Sequence, residues 1–249
     1  MLKKLIRVIK IIKRDCWEIF NKTSPYYVHW FFKSNHIKKY KKKAVAIDIG
    51  AHSGRFAWSL KKTKRFSKIF IFEPQLKLIN HIKIYFDNKY IINKALSNFT
   101  GEKKLKIPFS TNKLLTTRAS LDEPINDSKI QESNYQEISV SVSTLDIELS
   151  NLAKNEQDIS LIKIDAEGEE INILEGAQKT IKKYKPDILI ELEYGRYKNK
   201  VNKSIKFLED HNYALIFNNQ TYFKFDEIKN LIINNYLISS DFLFSVTNE

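Results

Sequence analysis

Short apolar runs that stop abruptly at polar or glycine-rich tips recur along this chain. Residues 44–49 read AVAIDI and stop at Gly50. Residues 69–72 stop at Glu73 and Pro74, and residues 90–92 form a third run. Between these runs, apolar residues return every three or four positions over about 55–64 and about 75–86. Short continuous apolar runs suit strands buried on both faces, and the three-to-four spacing suits amphipathic helices. Strand, helix, strand, helix, strand within fifty residues predicts a parallel sheet with right-handed crossovers and helices on both faces.

The pattern changes over residues 97–150. "GEKKLKIPF" and "QEISVSVSTLDIEL" alternate like exposed antiparallel strands, and the polar "LDEPINDSKIQESNYQ" between them reads as a loop. This is a hairpin-like insertion on the sheet. The earlier rhythm resumes with "ISLIKIDAEGEE" at 159–170, a helix over about 169–184 and a fifth strand in "PDILIELEY" at 186–194. "YALIFNNQTYFKF" and "DFLFSV" supply two closing strands. The expectation is an α/β fold with a mostly parallel seven-stranded sheet.

Residues 1–43 stand apart. Leu5, Ile9, Ile12, Cys16 and Ile19 fall on one helical stripe, with Lys3, Lys4, Arg7, Lys10 and Arg14 mostly off it. Basic residues interrupt any signal-peptide core, and no run of eighteen apolar residues exists to cross a bilayer. The stripe suits two partners: an anionic membrane surface, or the chain's own domain or another subunit. Trp17, Tyr26, Tyr27, Trp30, Phe31 and Phe32 suit either. The reading is a basic helical arm over 1–43 and one α/β domain over 44–249.

Charge sharpens that division. The formal net charge is +13, and residues 1–43 carry 13 Lys and Arg against two acids. The other 206 residues carry 29 basic and 27 acidic side chains. A near-neutral domain with a basic arm seeks anionic partners. The single cysteine, Cys16, excludes an internal disulfide and a cysteine-based zinc cluster, which fits a cytoplasmic setting.

In an open parallel sheet, ligands bind beyond the carboxyl ends of the strands. Four predicted strands end in such tips: residues 48–54, Glu73, residues 165–168 and residues 191–193. "DIGAHSG" spends two of the chain's six glycines. It lacks the middle glycine of a dinucleotide fingerprint, so a pyrophosphate would be crowded. Gly50 permits a tight turn, and Gly54 lets the next helix start close to the sheet. Glu73 ends the second strand, where an acid accepts hydrogen bonds from both ribose hydroxyls. Together these favour the adenosine of S-adenosylmethionine.

The order "DIGAHSG", "FEP", "NKALSN", "STLD", "LIKIDAEGEEINILEGA" and "ILIELE" resembles the FkbM-type methyltransferases over about residues 45–193. The resemblance implies a Rossmann-like class I methyltransferase fold, S-adenosylmethionine as donor and O-methylation of sugar or glycan hydroxyls. It places Asp48, Gly50, Ala51 and Gly54 at the donor's methionine side. Glu73 falls at the ribose, and Ala95, Leu96 and Ser97 fall beside the adenine. His52 stands where family members often carry Asn.

For methyl transfer to oxygen, the protein aligns the acceptor and removes its proton. Asp165, Glu167 and Glu193 are the candidate bases, with Asp165 nearest the donor. Glu167 suits a helix-capping role equally. Two or three carboxylates together would also hold Mg²⁺, although no spacing demands a metal. Lys163 shares a strand face with Asp165 and suits an ion pair or an acceptor contact. His52 is a loop donor or a base. Arg118 and Ser120 lie in the polar insertion, where an acceptor would be gripped or where they simply face solvent. The leading expectation is a cytoplasmic O-methyltransferase, peripheral at the inner membrane face, acting on a carbohydrate or lipid-linked glycan. An RNA 2′-O-methyltransferase using the arm as a phosphate clamp is the enzymatic alternative, with nucleic acid the less favoured partner. A non-catalytic membrane adaptor with a degenerate nucleotide fold is the other. The oligomeric state is left open.

Overall fold

The computed structural model describes residues 31–32, 35–41, 43–110, 113–121, 135–152, 158–217, 219–235 and 241–246. The amphipathic stripe of residues 1–30 and most of the polar loop at 121–136 lie outside these residues.

Eight strands form the main sheet. β1 (Ala44–Ile49), β2 (Phe66–Phe72) and β3 (Ile91–Ile92) run parallel with β8 (Ile159–Ile164) and β9 (Asp187–Glu191). β10 (Tyr213–Phe217), β11 (Gln220–Tyr222) and β12 (Asp241–Val246) join by antiparallel pairing, giving the order β11-β10-β12-β9-β8-β1-β2-β3. The expected seven strands gain β11, because Gln220–Tyr222 pairs back on β10 rather than extending it. Every residue of β1 is buried, as expected where helices cover both faces. Phe72, Phe242 and Phe244 are among the largest fully buried side chains.

α1 (Arg55–Thr63) joins β1 to β2 and buries Phe56, Ala57, Ser59 and Leu60. α2 (Leu76–Ile82) follows β2, and α3 (Leu145–Leu152) precedes β8. The helix expected over 169–184 is two helices, α4 (Glu170–Glu175) and α5 (Gln178–Tyr184). A Cβ on Gly176 would meet the Ser97 carbonyl oxygen at 2.1 Å, so the chain turns where another backbone crosses it. α6 (Tyr194–Asp210) and α7 (Phe225–Asn235) complete the fold, in a region the strand reading left without helices.

The insertion forms a second sheet, in the order β4-β7-β5-β6. β5 (Gly101–Ser110) pairs antiparallel with β7 (Tyr135–Ser143), as the alternation predicts. β4 (Ala95–Leu96) adds parallel to β7, and β6 (Lys113–Leu114) pairs with the end of β5. Ala95, Leu105, Leu121, Val140 and Val142 make its own small core.

The end of the proposed arm belongs to the main core. Phe31 is fully buried and Phe32 nearly so, and both rings pack on Phe56. Asp187, at the start of β9, accepts hydrogen bonds from His36 at 2.9 Å, Lys39 at 2.9 Å and Ser245 at 2.6 Å, and from the Tyr40 hydroxyl. Burial alone would raise the Asp187 pKa, but the His36 bond, Lys39 and Ser245 hold it at about 2. The Asp187 contacts fasten residues 36–40 to the sheet end opposite the strand tips described next.

Candidate active site

Strand register gathers five polar side chains on one face of the sheet. Asp48 on β1 pairs with Lys163 on β8, Lys163 pairs with Leu189 on β9, and Glu191 pairs with Asp241 on β12. Side chains two apart share a face, so Asp48, Lys163, Asp165, Glu191 and Asp241 converge beyond the strand ends. Lys163 is 5 % exposed, and its Nζ lies 2.5 Å from Asp165 Oδ2. Burial opposes the Lys163 charge, but Asp165, Asp241 and Asp48 outweigh it and raise its pKa.

The carboxylates divide by how far burial outweighs the pull of that ammonium. Burial opposes ionisation of Asp165, yet Lys163 and a hydrogen bond with Glu191 hold its pKa below the usual value. Glu191 goes the other way: burial, then Asp165 and Asp241, raise it well above the carboxylate range. Burial lifts Asp48 and Asp241 to about 6 each against the pull of Lys163. Asp165 is therefore the most readily ionised of the four carboxylates, and its side chain keeps 38 % exposure.

The glycine turn closes over the β1 tip. Gly50 has φ +72°, and a Cβ there would lie 1.7 Å from the Asp165 carbonyl oxygen. Its missing side chain makes room for the β8 backbone. Gly54, φ +76°, precedes α1, and a Cβ there would meet the Ile82 side chain of α2 at 3.1 Å, so the glycine lets α1 start close against α2. Asp48 Oδ2 accepts from the Ala57 N–H at 3.1 Å, while its Oδ1 is buried with no hydrogen-bond partner.

Glu73 is fixed from both sides. Its Oε2 accepts from the His52 N–H at 2.7 Å and its Oε1 from the Gln75 N–H at 2.8 Å. Burial raises its pKa to about 7 in spite of these two bonds. His52 Nε2 pairs with Thr116 Oγ1 at 2.9 Å, and Gln75 Nε2 donates to the Thr116 carbonyl at 3.0 Å. The turn of Thr116–Arg118 thereby ties the second sheet to the glycine loop. Burial lowers the His52 pKa, which leaves a neutral ring near pH 7.

These elements enclose a cavity of ≈ 330 Å³. Of the residues singled out from sequence, Asp48, Gly50, Ala51, His52, Glu73, Ala95, Leu96, Lys163, Asp165 and Glu167 line it. Gly54, Ser97, Arg118, Ser120 and Glu193 do not. Ser120 Oγ donates to the Glu167 carbonyl at 2.9 Å and Ser97 Oγ to Glu169 Oε2 at 2.9 Å, so both serines bind cavity-wall residues. Arg118 closes the turn whose Thr116 and Thr117 face the cavity.

Glu193 sits just outside and accepts from Arg196 Nη1 at 2.5 Å; the same nitrogen donates to Glu167 Oε2 at 2.9 Å. Glu191 is the fifth-strand acid inside. Counting alternate residues along β9 from Leu189 finds it, but only once the β8 register is known. Glu167 does not cap the following helix. Glu170, the first residue of that helix, accepts instead from the N–H groups of Ala166 and Gly168 in the preceding turn at 3.3 and 3.1 Å, and no side chain caps the helix. Burial raises Glu167 to about 8 against the opposing charge of Arg196. Sequence reading also missed Asp241, Thr116 and Glu169, which all line the cavity. Among the described residues, no group of three His, Cys, Asp or Glu side chains is arranged to hold a metal ion. No helix among them is long and apolar enough to cross a membrane.

The family profile described as "Methyltransferase FkbM domain" matches residues 48–217. A crystal structure of methyltransferase FkbM from Methylobacillus flagellatus KT is similar over 98 % of this chain and 60 % of its own, with TM-score 0.51 and 14 % identity. This chain thus spans about three-fifths of that protein's length. A precorrin-6y C5,15-methyltransferase from Geobacter metallireducens GS-15 aligns over 84 % of this chain and 81 % of its own, with TM-score 0.39 and 10 % identity. No curated protein matches the sequence.

Proposed function

The chain belongs to the FkbM methyltransferase family, and from that membership we propose that it methylates a hydroxyl of a carbohydrate or glycan acceptor. S-adenosylmethionine is the donor that the family implies. The observation that carries the reading is one cavity holding both Glu73, anchored by two backbone N–H groups, and an ionised Asp165.

The residues present fit that donor. The cavity is of ligand-binding size. Asp48 Oδ1 and Glu169 Oε1 are buried acceptors without partners, and both residues line it. Glu73 keeps further lone pairs for the ribose hydroxyls. The turn of residues 50–52 would take the amino-acid end, and Ala95 and Leu96 offer apolar contact to the base. When bound, the donor supplies a methyl group made electrophilic by its sulfonium.

The chain's own residues handle the acceptor. The Asp165 carboxylate accepts the hydroxyl proton, and Lys163 keeps it ionised until then. Glu191, neutral, donates to Asp165 and orients it. A hydroxyl acceptor suits a carboxylate base, and a sugar fits a cavity rimmed by Thr116, Thr117 and Arg55. A lipid-linked glycan would use the basic residues 1–30 to reach an anionic membrane surface.

Calorimetric titration with S-adenosylmethionine, S-adenosylhomocysteine and NAD tests the donor. Binding of the first two and not the third is expected; no binding of either sulfur compound sinks the reading. Release of S-adenosylhomocysteine on adding sugar nucleotides or lipid-linked glycans, but not RNA, then tests the acceptor.

A further inference from the structure

Glu169 is 2 % exposed, and only one of its carboxylate oxygens is bonded. Oε2 accepts from Ser97 Oγ at 2.9 Å and from Asn172 Nδ2 at 3.0 Å. Oε1 is buried and has no hydrogen-bond partner. Leaving such an oxygen unsatisfied is costly, so a ligand that supplies the missing donor gains by binding there. Glu169 lines the cavity, as do the apolar Ala95, Leu105, Ala119 and Leu121 of the second sheet.

We propose that Glu169 Oε1 accepts the exocyclic amino group of the donor's purine, so that this residue selects adenine over hypoxanthine. The inference rests on S-adenosylmethionine being the donor. That molecule carries three sets of hydrogen-bond donors: an ammonium, two ribose hydroxyls and one purine amine. The hydroxyls match Glu73. The ammonium matches Asp48 Oδ1, the other unpartnered oxygen on a described cavity-lining residue, in the charged corner with Asp165. The purine alone combines apolar faces with an N–H edge. Ala95, Leu105, Ala119 and Leu121 suit the faces, and Oε1 suits the edge.

The two protein donors on Oε2 make the substitution decisive. In Glu169→Gln, Ser97 Oγ and Asn172 Nδ2 hold the amide oxygen where Oε2 now lies. The amide nitrogen then turns to the cavity, and a donor replaces an acceptor. It opposes the adenine amine and bonds the 6-oxo group of hypoxanthine.

The test titrates the full chain and its Glu169→Gln variant with S-adenosylhomocysteine and S-inosylhomocysteine. Wild type is expected to prefer the adenosyl ligand by about tenfold or more, a difference of about 1.4 kcal/mol. The variant is expected to lose that affinity and reverse the preference. Equal affinity of wild type for the two ligands overturns the assignment without any variant. A folded variant that keeps the wild-type preference overturns it as well, while leaving the donor reading intact. Binding of neither ligand to wild type overturns both.

Discussion

A methyl group on Gly50 would lie 1.7 Å from the carbonyl oxygen of Asp165. The β1 turn and the β8 tip therefore share one space, and the backbone of the candidate base fills the place of the glycine's missing side chain. The positive φ adds strain for any other residue. Gly50→Ala should cost about 2–4 kcal/mol in stability and displace Asp165. Urea denaturation and donor titration of the variant check both effects; a wild-type midpoint with wild-type affinity would refute the packing argument.

Lys163 sets the charge state of Asp165. Replacing it by Met removes the cation, so the Asp165 pKa should rise and less carboxylate remain at any given pH. The acid limb of the pH–rate profile should move to higher pH, with the loss of kcat greatest on the acid side and shrinking as pH rises. An unmoved acid limb would assign the base elsewhere.

Donor affinity should depend on the protonation of Glu73. Its pKa of about 7 in the free protein means that protonation competes with acceptance of ribose hydroxyls below that pH. Kd for S-adenosylhomocysteine should therefore rise by roughly tenfold per unit as pH falls below 7, and level off above it. Glu73→Gln should bind weakly and lose that slope.

Glu191 and Glu193 should separate cleanly. Glu191 is held neutral beside Asp165, so Gln preserves its hydrogen bond and should retain most of the rate. Glu191→Ala should lower kcat by about tenfold or more. Glu193→Gln, outside the cavity, should change kcat less than about threefold. Steady-state kinetics on the three variants decides.

Asp187 links residues 36–40 to β9 and β12. Its pKa is depressed from 3.8 to about 2, worth about 2 kcal/mol of stability. That contribution is present above about pH 4 and is lost as pH falls through about 2. Asp187→Asn should be destabilised by about that amount at pH 7, with the gap to wild type narrowing near pH 2.5. Denaturation at the two pH values checks the sign.

Most of the main-sheet strands were legible in the sequence, though not their order in the sheet, because a strand buried on both faces writes itself as a local apolar run. β1, β2 and β9 show this, and the polar tips at Asp48, Glu73 and Asp165 follow from where the runs stop. The paired alternation of β5 and β7 likewise announced an antiparallel hairpin. Local pattern said less about partners. Phe31 and Phe32 read equally well as membrane-facing aromatics, whereas they pack in the core against Phe56. An apolar side chain records that it needs cover but not what supplies it.

The sequence by itself determined the family, the α/β class and the glycine turn with its acid one strand away. The tertiary structure alone decided which carboxylates meet. Glu191 rather than Glu193 enters the cavity because β9 pairs in register with β8, and Asp241 joins it from a strand fifty residues on. The unpartnered Oε1 of Glu169 is visible only once Ser97 and Asn172 are seen to occupy its neighbour. Spacing along the chain carries periodicity; register and hydrogen-bond satisfaction are relations between distant segments, and only folding brings those together.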